Sequence, residues 1–74
     1  MQIRKISVGS EYKSAMHYIV GQSVCDGKYS VHLIHHSDKK DGYLVYIENE
    51  LNEVFLWKFF SKDMPVSIEY NIDF

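Results

Sequence analysis

A single cysteine, Cys25, cannot close a disulfide within the chain, so the fold must hold without one and the sequence suits a reducing compartment. Its ordinary role is that of a structural thiol at a strand end. One proline, Pro65, and four glycines in 74 residues leave no linker, repeat or low-complexity tract. Basic residues are outnumbered, eight against ten acidic ones, and no basic run exceeds Lys39-Lys40. Nucleic acid is therefore not expected as a partner, because binding it requires clustered cations that neutralise several phosphates. No stretch approaches the roughly 20 apolar residues of a membrane span, and Met1-Gln2-Ile3-Arg4-Lys5-Ile6 lacks the apolar run of a secretory leader. A cytoplasmic location without a membrane partner is the expectation. Catalytic signatures are missing too. There is no glycine-rich phosphate loop, no nucleophile elbow and no evident carboxylate pair for acid and base work. An enzyme is not expected, nor a cofactor.

What the chain does have is aromatic side chains: six Tyr, four Phe and one Trp, 15% of all residues. Each removes roughly 150 to 250 Å² from water when buried, so a few can build the core of one small domain spanning 1–74. Some are left over for an interface.

The strongest local signal is Asp26-Gly27, which offers the two positive-φ residues of a type I′ hairpin turn. A two-residue loop there sets Val24 opposite Tyr29, Gln22 opposite Val31, Val20 opposite Leu33 and Tyr18 opposite His35 on one face. The other face then carries Ser23 with Ser30, Gly21 with His32, Ile19 with Ile34, and His17 with His36. Tyr12, Ala15, Met16, Ile19 and Val20 also fit helical spacing, with Ser10 and Gly21 as caps. The reading adopted is a helical turn over Ser10 to Ala15 followed by a strand from Met16 to Cys25, with a helix extending to Val20 as the alternative. Further strands are expected over Gln2 to Val8, Tyr29 to His36, Tyr43 to Glu48, Glu53 to Phe60 and from Val66 to Phe74. Glu53 to Phe60 reads as a strand buried on both sides. The expected fold is mainly β (β-rich α+β), a single small antiparallel sheet of four to six strands with at most one short helix near residues 10–20.

Four histidines raise the question of a metal, since His17 and His36 would lie with Cβ atoms about 4.5 to 5.5 Å apart in that register. A third ligand would have to be His32 or a carboxylate of unknown position, and exposed imidazoles on a polar face are the simpler account; no metal is expected. Trp57 next to Lys58 is the other conspicuous pair. Core packing is the ordinary role of such a Trp, but a half-exposed ring beside a cation would suit a planar anionic ligand. Gln22 beside Gly21 could bond the edge of a base. The candidate ligand-binding residues are thus Arg4, His17, Tyr18, Gln22, His32, His36, Trp57 and Lys58.

Ala15-Met16-His17-Tyr18-Ile19-Val20-Gly21-Gln22, the sheet segments after it, Trp57-Lys58 with Phe60, and the ending Pro65 to Phe74 together resemble the small accessory proteins of large tailed bacteriophages, of the host-takeover or counter-defence kind. The resemblance covers nearly the whole chain and carries over no binding residue. It implies a compact, non-enzymatic protein acting in the host cytoplasm, either sequestering a nucleotide-like signal of host immunity or inhibiting a host enzyme through a sheet edge or aromatic patch. The expected partner is accordingly a small anionic ligand or a host protein. Unpaired strand edges and surplus aromatics add an expectation of homo-oligomers.

Overall fold

Segments of alternating or continuous apolar residues become strands wherever one of their faces can be covered. The computed structural model describes residues 2–9 and 16–71, and every regular element in them is a β-strand. These are β1 (Ile3–Val8), β2 (Met16–Ile19), β3 (Ser23–Val24), β4 (Tyr29–Ser37), β5 (Gly42–Asn49), β6 (Val54–Ser61) and β7 (Val66–Tyr70). They form two antiparallel sheets, β2-β1-β7 and β3-β4-β5-β6, one of them curled as a half-barrel. The expected single sheet is therefore corrected to two. The helical turn read over Ser10 to Ala15 lies outside the described residues, while Met16 to Ile19, the end of the alternative helix, is strand.

The hairpin forms with its expected first pairs, but the loop is a four-residue turn from Cys25 to Lys28 rather than two residues, with Cys25 itself at φ 55°. Asp26 and Gly27 have φ values of 60° and 86°, the Lys28 amide donates to the Cys25 carbonyl at 3.2 Å, and Val24 faces Tyr29 as Ser23 faces Ser30. The ladder then stops. Val31 donates to the Gln22 carbonyl and accepts from the Gly21 amide, both at 2.8 Å, and a turn follows in which the Gln22 amide donates to the Ile19 carbonyl at 2.9 Å. Gly21 occupies its third position at φ 96°, the positive value that a type II turn demands there. The Gln22 side-chain oxygen accepts from the Ile19 amide at 3.1 Å and closes the same turn. Beyond it β2 pairs with β1, Tyr18 against Ile6 and His17 against Ser7. The continuous strand from Met16 to Cys25 is thus split at its one unhindered positive-φ position, and each half joins a different sheet. The pairs Val20 with Leu33, Tyr18 with His35, Gly21 with His32, Ile19 with Ile34 and His17 with His36 are all overturned.

Between the sheets lies the core. Ile3, Ile6 and Val8 of β1 meet Val31, Ile34, Val45 and Phe60 of the other sheet, with Tyr18, Trp57, Val66 and Ile68 packed around them. Each such aliphatic side chain contributes about 1.5 to 3 kcal/mol by leaving water. β6 corrects a second expectation. It is an edge strand paired only with β5 among the described residues, and Val54, Phe55, Leu56 and Phe59 are 44 to 49% exposed; Phe60 alone is buried in it.

Candidate functional site

The registers divide each strand of the larger sheet between two faces. Ile34, Val45 and Phe60 point toward β1 and form core. By alternation, Leu33, Tyr46 and Leu56 make one row on the opposite, outer face, and His35, Leu44 and Phe59 make the next. Leu44 is buried there without belonging to the core cluster, while Leu33, Leu56 and Phe59 remain exposed around it. Val54 extends the patch beside Glu48, whose carboxylate lies 3.2 Å from His32 Nδ1. The outer face thus carries an apolar centre and a polar corner. Its sequence signal was present in β5, Tyr43-Leu44-Val45-Tyr46-Ile47, which is apolar at both parities. Such a strand needs cover on both faces. The inner face has it throughout, whereas on the outer face Leu44 is buried but Leu33, Leu56 and Phe59 around it stay exposed.

A smaller cluster assembles on the inner side. The β5–β6 register steps between Val45 and Tyr46 and leaves Trp57 as an extra residue, a bulge of the kind that re-aims side chains. Trp57 and Lys58 both reach Tyr18 in consequence. The Lys58 ammonium stands 4.7 Å from the Trp57 ring centroid and 6.0 Å from that of Tyr18. Tyr18 meets Trp57 edge to face at 5.3 Å and stacks on Phe60 at 5.9 Å. A cation over an aromatic face contributes about 0.5 to 1 kcal/mol where it is exposed. Tyr18, Trp57 and Lys58 are therefore brought together.

The remaining candidates are scattered. His17 is on the outer side of β2, where Ser7 Oγ is 2.8 Å from its Nδ1, whereas its neighbour Tyr18 packs inward. His32 engages Glu48, and His36 sits 3.4 Å from Asp38 and 5.2 Å, between ring centroids, from Tyr43. Gln22 has its oxygen committed to the turn, and Arg4 is exposed on β1. A cleft of about 350 Å³ opens where the sheets diverge, lined by Gln2, Ile3, His35, His36 and Tyr70 among others; none of Tyr18, Trp57 and Lys58 borders it. Among the described residues no three His, Cys, Asp or Glu side chains gather as metal ligands, and no helix is long and apolar enough to cross a membrane. Comparison of the chain with family models, curated proteins and solved structures finds no match.

Proposed function

We propose that the protein is a non-enzymatic binding module that engages a protein partner through the outer face of β4, β5 and β6. The observation that carries this reading is the apolar row of Leu33, Tyr46 and Leu56 beside Leu44 and Phe59 on a face that the chain's own core does not use. Contiguous apolar patches on soluble proteins are most often interaction sites, and a patch spread over three strands and edged by a few polar groups has the extent and make-up of a surface that another protein covers. The resemblance to phage accessory proteins directs the choice of partner toward a host protein, bound and inhibited in the host cytoplasm. A second reading, sequestration of a nucleotide-like anion, draws support from the Tyr18, Trp57 and Lys58 cluster, since Lys58 has no carboxylate partner among the described ion pairs. Against it, one face of the Trp57 ring already holds the ammonium.

The two readings part in one experiment. A host protein captured from lysate is purified, and its affinity is compared for the wild type, Leu33→Lys and Lys58→Ala. Loss of at least tenfold with Leu33→Lys and none with Lys58→Ala supports the protein-binding face. Stabilisation of the free protein by nucleotides in a thermal-shift panel, abolished by Lys58→Ala, overturns it in favour of the anion.

A further inference from the structure

The edge of β6 is unusually unguarded. Natural edge strands are protected by outward charges, proline, shortness or a bulge, yet β6 has eight residues, no proline and a single charged side chain, Lys58, whose ammonium is drawn over Trp57. Among the described residues its bulge at Trp57 is the one device present. Leu51 and Met64, in the turns before and after it, are exposed as well. Leu51, Val54, Phe55, Leu56, Phe59 and Met64 thus line this edge with exposed apolar side chains; edge pairing would cover their flanks along the seam and leave their sheet faces open.

We infer that β6 pairs antiparallel with β6 of a second copy, in one definite register. A two-fold axis perpendicular to the sheet keeps outer side chains with outer ones and inner with inner. The bulge shifts the alternation by one residue, so Val54 and Leu56 share the outer face with Phe59 and Ser61, whereas Phe55 and Phe60 share the inner one. Leu56 therefore lies opposite Phe59 of the second copy, Phe55 opposite Phe60 and Val54 opposite Ser61. The two bulges then face each other at the axis, so that the shift of one is matched by that of the other and the ladder resumes in register on either side. Charge selects the same register. Continuing outward by one residue, it sets Glu53 of each copy, which accepts from Asn49 Nδ2 at 3.0 Å within its own chain, opposite Lys62 of the other, twice over. It also keeps the two acidic first ends apart, with Asp41 and Asp63 beside Lys62 as the opposing charges. Within one chain Lys62 stands 3.7 Å from Asp41 with both side chains largely exposed, so its ammonium stays accessible to a second carboxylate. Edge pairing leaves the outer faces open and lays them side by side, so the inference does not depend on the protein-binding reading.

The test is made on the full chain carrying Cys25→Ser, with Leu56→Cys in one preparation and Phe59→Cys in another, and the two are mixed. Within one strand the bulge brings those positions to about 7 Å of each other, near the reach of a disulfide, so placing them on separate chains ensures that a bridge between them joins two copies. Sedimentation of the Cys25→Ser protein over a broad dilution series is expected to show twice the 8.7 kDa chain mass, and mild oxidation of the mixture is expected to lock a covalent dimer of one chain of each kind. Glu53→Lys is expected to weaken dimerisation about tenfold through the two exposed pairs it reverses, and adding Lys62→Glu to restore it. A strict monomer, an open-ended assembly, a dimer whose thiols at 56 and 59 stay free, or a charge swap that fails to restore assembly would each overturn the inference.

Discussion

The two sheets share one core but present opposite outer faces. On the three-stranded sheet the side chains turned away from the core include Lys5, Ser7, His17, Ser67 and Glu69, with Lys5 and Glu69 3.6 Å apart and Ser7 bonded to His17. The four-stranded sheet turns Leu33, Leu44, Tyr46, Leu56 and Phe59 to the same kind of surface. The fold does not require this, since the outward rows of the other sheet are polar but for Ile19. An apolar exterior concentrated on one sheet therefore points to something that covers that sheet.

The comparison predicts where substitutions are costly. Ile6, fully buried at the centre of β1, belongs to the core that both sheets use, so Ile6→Ala is expected to have the largest effect. It should lower unfolding stability by about 3 kcal/mol, read as a fall in the urea midpoint with an unchanged slope. A loss below 1 kcal/mol would mean that the sheets do not close on β1. Gly42 comes next. A Cβ there would overlap the Phe60 carbonyl oxygen and approach the Phe59 ring to 2.7 Å, because that ring leans across the glycine on the outer face. Gly42→Ala is expected to cost about 1 to 3 kcal/mol by overpacking and to displace Phe59, seen as changed ring signals in NMR. If the signals hold still, Phe59 is not seated on Gly42 and the outer patch loses its anchor.

Much of this architecture was legible in the residues, and the part that was not has a physical cause. Asp26-Gly27 specified its turn because few dipeptides accept two successive positive-φ conformations, and Val66-Ser67-Ile68-Glu69-Tyr70 announced a strand with one wet face. The change of sheet at Gly21 was hidden, because alternation through Met16 to Val24 reads identically whether the chain continues along one partner or turns toward another. Only the covering of Tyr18 by Ile6 and Phe60 decides between them, and that contact is long-range. The edge position of β6 was hidden for a related reason. Composition tells how apolar a strand is, and topology alone tells whether a neighbour will cover it. Of the candidate residues, Trp57 and Lys58 were adjacent in sequence from the start, but Tyr18 joined them only through the bulge and the sheet change together.

The smallest expected effect is also the sharpest test of that sheet change. Had His17 and His36 faced each other across one hairpin, substitutions at the two positions would couple, as contacting residues do by about 0.5 to 3 kcal/mol. In the structure His17 reaches Ser7 and His36 reaches Asp38 and Tyr43, with no partner in common. His17→Ala and His36→Ala are each expected to shift stability by within about 0.5 kcal/mol, and the double variant should equal their sum to within about 0.3 kcal/mol. Tyr18 and Trp57 supply the contrast, because they touch across the two sheets. A cycle built from Tyr18→Leu and Trp57→Leu should return a coupling of about 0.5 to 1.5 kcal/mol, the range for an aromatic pair. Both cycles can be read from denaturant unfolding of the same set of proteins. Coupling between the histidines, with none between the aromatics, would return β2 to β4 and dissolve the division into two sheets on which the contrast of their outer faces rests.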